Sequence, residues 1–298
     1  MTGTADATRT ELQYVTSKDG TSIAYRTSGS GPVVVMVAGA LGTGIAPADA
    51  AIGAPLATDH TVVDYDRRGR GHSGDTEPYA VAREVEDIEA LVDAHGGRAA
   101  VFGFSSGAAL ALAAADALGA KVGAVALYEP PFIIDDSRPP LPADYVERIR
   151  DFVAAGHRDR AVALFMTEAV GIPAEYVDAM KNAPAPPAAE GDIQPPSWAG
   201  MEKIAHTLAY DGLVMGDTMS GKPLPAGLWS GVSVPVLVVG GGESEAFMRA
   251  GAESAAGLLA GGEYRELPGQ SHQFDPAALA PVLRDFLAAP PGCPGGAS

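Results

Sequence analysis

Short apolar runs alternate with amphipathic stretches along most of this chain. "PVVVMVAG" (32–39) is β-branched and almost uninterrupted, the pattern of a strand buried on both faces. "HTVVDYD" (60–66), "AAVFGF" (99–104), "VGAVALYE" (122–129) and "VPVLVVGGG" (234–242) repeat it. Near the start, "ELQYVTS" and "TSIAYRTS" flank Lys18-Asp19-Gly20 and read as a hairpin. "AREVEDIEALVDAHG" (82–96) carries apolar residues at helical spacing and stops at glycines, which predicts an amphipathic helix. The Ala/Leu run after Ser106 predicts a helix closed by Gly119. Further helices are predicted over 247–259 and 276–288, with the strand "EYRELPG" between them.

The alternation breaks between Pro130 and Val232. Helical patches near 145–155, 158–167 and 198–209 are separated by Pro-rich segments. "NAPAPPAAEGDIQPP" (182–196) can hardly be a helix or a central strand. Strand–helix alternation predicts a mostly parallel sheet covered on both faces. A structureless loop of a hundred residues is implausible in a compact domain, so the interruption is expected to be a helical lid. The division is then a core over 1–130 and 233–290, a lid over 131–232, and a flexible Gly/Pro-rich tail over 291–298.

Composition narrows the class without naming the chemistry. Hydrophobic residues make up 47% and charged residues 19% of 298, the balance of a globular chain. A net charge of −17 disfavours nucleic acid and anionic membrane surfaces as partners. One cysteine, Cys293, excludes an internal disulfide and argues against a thiolate metal site. The start has no basic stretch followed by an apolar core, and no apolar run reaches the ~18 residues of a membrane span, so a cytoplasmic location is expected.

The first chemical signal is Gly103-Phe104-Ser105-Ser106-Gly107, a G-x-S-x-G pattern. It follows a buried strand and opens a helix, as a nucleophile elbow requires. The central serine must adopt a strained backbone to hold its Oγ clear of the chain. The next N–H then sits at a helix N-terminus, where partial positive charge favours an oxyanion. The register makes Ser105 the nucleophile and Ser106 a backbone N–H donor with an idle side chain.

With this motif and with "DYDRRGRGHSG" (64–74), the chain resembles the α/β-hydrolase fold superfamily over nearly its whole length. Within it, the chain is similar to lid-bearing esterases, C–C bond hydrolases and cofactor-free haloperoxidases. The resemblance implies an eight-stranded, mostly parallel sheet with helices on both faces and the lid inserted after the sixth strand. It gives Asp66, Arg68, Gly69, Gly71 and Ser73 a structural role in a tight turn. Only His272 of the six histidines lies after the last strand and before the last helix, where the family's catalytic histidine sits. Two glutamates satisfy the chain order serine, acid, histidine. Glu129 in "YEPP" ends one strand, and Glu243 in "VVGGGES" follows the next; Glu129 is preferred and Glu243 is the alternative. The second oxyanion donor is expected from Ala38-Gly39-Ala40-Leu41, where the family usually has His-Gly. Ala40 N–H is the choice and Leu41 the reserve.

A serine at the elbow argues against epoxide hydrolases and dehalogenases of this fold, which use a carboxylate nucleophile. No nucleotide loop or paired-histidine motif is present, so neither cofactor nor metal is expected. The expected activity is hydrolysis of a small or medium, largely apolar ester or related acyl compound through an acyl-enzyme. The same triad could serve C–C cleavage, perhydrolysis or acyl transfer, and a catalytically silent ligand-binding or biosynthetic helper is the rival class. Phe132, Phe165, Met166, Trp198, Met201 and Met215 could supply apolar walls under the lid.

Overall fold

A computed structural model describes residues 10–183 and 197–288. The tail over 291–298 with Cys293, and residues 184–196 of the Pro-rich segment, lie outside the described residues. Eight strands form one sheet: β1 Gln13–Thr16, β2 Ser22–Gly29, β3 Val33–Val37, β4 Thr61–Tyr65, β5 Ala99–Phe104, β6 Val122–Tyr128, β7 Val236–Gly241 and β8 Gly262–Leu267. Their spatial order is β1-β2-β4-β3-β5-β6-β7-β8. The pairs β1/β2 and β2/β4 are antiparallel and all others parallel.

Helices cover both faces. The helix α1 (Pro47–Gly53) precedes β4. The helices α2 (Val81–Ala94) and α3 (Ser106–Leu118) flank β5 in sequence. Val85, Ile88, Leu91 and Val92 form the buried stripe of α2, three to four residues apart. With Leu110, Leu112 and Val125 they build the larger core cluster. Complete burial of a leucine such as Leu110 is worth roughly 1.5–3 kcal/mol.

Between β6 and β7 run α4 (Tyr145–Ala154), α5 (Arg158–Leu164), a π-helical turn (Phe165–Val170), α6 (Ala174–Asn182), α7 (Trp198–Lys203) and α8 (Thr207–Met215). They share a third cluster around Ile149, Val162, Met201, Ala205 and Leu208. After β7, α9 (Ala246–Leu258) and α10 (Pro276–Ala288) complete the layers. Leu279 and Leu283 of α10 join Val34, Phe102 and Tyr128 in the cluster on the other sheet face.

The sheet order reverses direction at β3: β4 lies on one side of it and β5 on the other. At such a switch point the loops leave the strands' carboxyl ends in opposite directions and open a crevice. The register pairs Val37 of β3 with Gly103 of β5. The segments after them, Ala38–Leu41 and Ser105–Ser106, therefore border one another.

Candidate active site

Ser105 sits between β5 and α3 with φ 55° and ψ −126°. A non-glycine residue here is strained, at a cost of order 1–3 kcal/mol, and the surrounding packing must over-determine it. Gly103 and Gly107 supply that packing. A Cβ on Gly103 would come within 2.4 Å of the Gly107 carbonyl oxygen. One on Gly107 would lie 2.4 Å from the Val37 carbonyl oxygen and 2.7 Å from that of Ala38. Only glycine lets α3 start this close to β5 and β3.

His272 lies on the loop between β8 and α10. Its Nδ1 is 2.9 Å from Glu129 Oε2. The imidazole lies 4.9 Å from the ring of Phe104, the residue before Ser105, with the two planes tilted by 30°. Tyr128 donates its hydroxyl to the Ser271 carbonyl at 2.7 Å, which ties this loop to the end of β6.

Glu129 is fully buried and has φ 46°. Its Oε1 accepts the Gly241 N–H at 2.7 Å, and its own N–H donates to the Val239 carbonyl at 2.9 Å. Both carboxyl oxygens are thus partnered, as buried polar atoms require. Of the two glutamates, the one brought to the imidazole is Glu129. Glu243 is exposed and lies on the loop after β7, where its N–H donates to the Gln270 carbonyl at 2.8 Å.

The loop after β3 meets the elbow. A Cβ on Gly39 would approach Ser105 Cβ to 3.0 Å. Ala40 follows it, and Leu41 is buried with φ 59°. Among the described residues, neither the Ala40 N–H nor the Ser106 N–H has a hydrogen-bond partner. Both remain available to an incoming oxygen.

One expectation needs correction. The Ser106 side chain is not idle, since its Oγ donates to Asp211 Oδ1 of α8 at 2.9 Å. The six apolar residues fall in two clusters. Phe132 and Met215 belong to the larger core of the sheet, and Phe132 stacks on Trp229 at 5.5 Å. Phe165, Met166, Trp198 and Met201 pack in the cluster of the inserted helices.

The arginine-rich loop behaves as a structural turn at the positions expected. Asp66 accepts N–H groups of Ile45 at 3.2 Å and His72 at 2.8 Å. Ser73 Oγ donates to the Asp66 carbonyl and accepts the Ala24 N–H. A Cβ on Gly71 would collide with the Asp66 carboxylate. Arg68 chelates Asp87 and reaches Asp19 at 2.8 Å. The neighbouring Arg67 and Arg70 carry contacts that the spacing did not announce. Three close-set arginines in an acidic chain were the sequence's hint of them. Among the described residues, no three His, Cys, Asp or Glu side chains converge to hold a metal. None of the described helices is long and apolar enough to cross a membrane.

A model of the alpha/beta hydrolase family matches residues 23–282. The chain is 47% identical to an alpha/beta hydrolase from Sphaerobacter thermophilus, a likeness covering 93% of this chain and 100% of that one with a TM-score of 0.80. A hydrolase from Pseudomonas aeruginosa is 22% identical over 94% of this chain and 99% of that one, TM-score 0.66. An enol-lactonase from Burkholderia xenovorans is 22% identical over 93% and 100%, TM-score 0.62. The last two likenesses speak to the fold alone. No match was found among curated proteins.

Proposed function

The chain belongs to the alpha/beta hydrolase family, and we propose that it is a serine hydrolase acting on a small or medium, largely apolar ester or related acyl substrate. Ser105 Oγ attacks the acyl carbon and passes its proton to His272 Nε2. Glu129, on Nδ1, fixes the tautomer and stabilises the imidazolium. The N–H groups of Ala40 and Ser106 hold the oxyanion. His272 then protonates the leaving group and activates the water that clears the acyl-enzyme. The helices between β6 and β7 serve as the lid over this site.

The observation that supports this most is the 2.9 Å contact between His272 Nδ1 and a fully buried Glu129, beside a serine at φ 55°. A neutral imidazole so oriented is the base a serine hydroxyl needs, and the strained serine backbone has no other evident use. A fluorophosphonate probe tests it. Mass should be added at Ser105, the addition should vanish in Ser105→Ala, and short p-nitrophenyl esters should be turned over. A wild-type protein that neither labels nor turns over any such ester would instead be a catalytically silent binding protein.

A further inference from the structure

Beside the elbow lies a buried cluster of four charges. Asp211 on α8 accepts Ser106 Oγ and Arg67 Nη1 (2.7 Å) on one oxygen and Arg70 Nη2 (2.6 Å) on the other. Arg67 also holds Glu84 of α2 through two bonds of 2.7 Å and reaches the Ala38 carbonyl at 3.3 Å. Arg67, Arg70, Glu84 and Asp211 are all at most 4% exposed. Burial works against the Asp211 charge, but Arg70 and Arg67 outweigh it and hold the carboxyl below its usual range. Burial also opposes the charge on Arg67, and Glu84 and Asp211 more than offset it.

A neutral buried cluster of this kind is a weak device for stability, because apolar side chains of similar volume often do as well. Charged donors can do what apolar side chains cannot: grip carbonyl oxygens at fixed geometry. Arg70 Nη1 takes the Gly39 carbonyl at 2.6 Å and the Gly42 carbonyl at 3.2 Å. In a trans peptide the carbonyl and the following N–H point in opposite directions. Holding the Gly39 oxygen on the arginine's side therefore turns the Ala40 N–H away from it. That peptide borders Ser105, as the 3.0 Å approach of a Gly39 Cβ demonstrates. Leu41, next along, is held at φ 59° with its side chain in the cluster of the inserted helices. The loop is thus held by Arg70 through its carbonyls, by its own Gly42 N–H on the Gly39 oxygen at 3.2 Å, and by the insertion through Leu41.

We infer that Arg70 is a positioning residue for the oxyanion site: it holds the Gly39–Ala40 peptide with its N–H turned to the substrate oxygen. Asp211 makes that grip depend on the inserted helices being seated. The inference rests on the serine-hydrolase proposal above. It separates two features that otherwise look alike, a site that binds substrate and a site ready to stabilise charge.

Arg70→Met and Asp211→Asn test it, with Asp75→Asn as control. Asp75 makes a different contact to the same insertion, through Tyr210 at 2.8 Å and His206 at 3.3 Å, and does not touch the loop. The readouts are kcat and KM on the best p-nitrophenyl ester, the Ki of a trifluoromethyl ketone that forms a tetrahedral adduct, and a thermal melt. Arg70→Met should lower kcat about a hundredfold, since a misplaced donor costs that order, with KM within about threefold. The ketone should weaken by the same factor as kcat/KM. Asp211→Asn should lose about tenfold by the same two measures, and Asp75→Asn should change neither ratio. A folded Arg70→Met with wild-type kcat and ketone affinity overturns the inference, and so does a loss confined to KM. If Arg70→Met does not fold, Asp211→Asn decides by the same criteria. A wild type that fails both labelling and turnover overturns the underlying hydrolase proposal, a result distinct from either variant outcome.

Discussion

Glu129 and Ser105 are two non-glycine residues held at positive φ, at 46° and 55°, at the ends of adjacent strands. On the serine-hydrolase proposal, each is expected to be intolerant of chemical change. Glu129→Gln keeps the shape and removes the charge behind the imidazolium, so kcat should fall by about a thousandfold or more while the fold persists. Glu243→Gln, on an exposed side chain, should leave kcat within about twofold. Steady-state kinetics of the two variants side by side checks both. The positions of Ser105, between β5 and α3, and of His272, between β8 and α10, were legible in the sequence because each sits in a short local pattern. Between the two glutamates the sequence supported only a preference for Glu129, because the choice depends on how the loop after β8 returns to the end of β6. The role of the Ser106 hydroxyl was hidden for the same reason, its partner being 105 residues away.

At the next scale the elbow is a junction of three elements, β3, β5 and α3, brought together where glycine removes the obstacle. The contacts that a Gly107 Cβ would make are to backbone carbonyls, which cannot swing aside. Gly107→Ala should therefore destabilise by about 2–3 kcal/mol, measured by urea unfolding. It should also lower kcat, because the displaced carbonyl of Ala38 belongs to the loop that carries Ala40. Gly257 is the counterexample. It lies inside α9, and a Cβ there meets nothing within 4 Å. Gly257→Ala should stabilise by about 0.5–1 kcal/mol, through reduced freedom of the unfolded chain and better helix propensity. The strands and long helices were readable because their burial periods are clear. The α1 and α6 helices were not, being short and embedded in segments rich in Ala, Gly and Pro with little periodicity.

The molecule as a whole is a sheet with a helical insertion seated on it, and the seam between them combines apolar contacts, such as Met215 in the sheet's core and Leu41 among the inserted helices, with polar ones. Tyr79 stacks on Tyr210 at 3.8 Å, and Asp75 meets His206 and Tyr210. Burial would raise the Asp75 carboxyl, but hydrogen bonds from His206 and Tyr210 outweigh it and hold it below the usual value. A carboxylate depressed in the folded state adds stability above its unfolded pKa of about 3.9, and that stability is lost as pH falls through the folded value. Melting temperatures should therefore show wild type above Asp75→Asn at pH 6, with the gap closing below about pH 4. The parallel core and the existence of an insertion were visible in the sequence. The seam was not, because Asp211 meets Arg70 across 141 residues and no local pattern records it. The position of Glu129 has a consequence for anyone wishing to exchange insertions between relatives. The residue proposed to orient the imidazole is also the last one before the chain departs the sheet at Pro130, so the splice point and the proposed acid share one left-handed bend. A chimera joined at Tyr128 would inherit the donor's backbone at the acid and lose its alignment with His272. One joined after Pro131 would carry a foreign insertion on an intact Glu129–His272 contact, and the contacts made by Asp211, His206, Tyr210 and Leu41 would then have to be rebuilt.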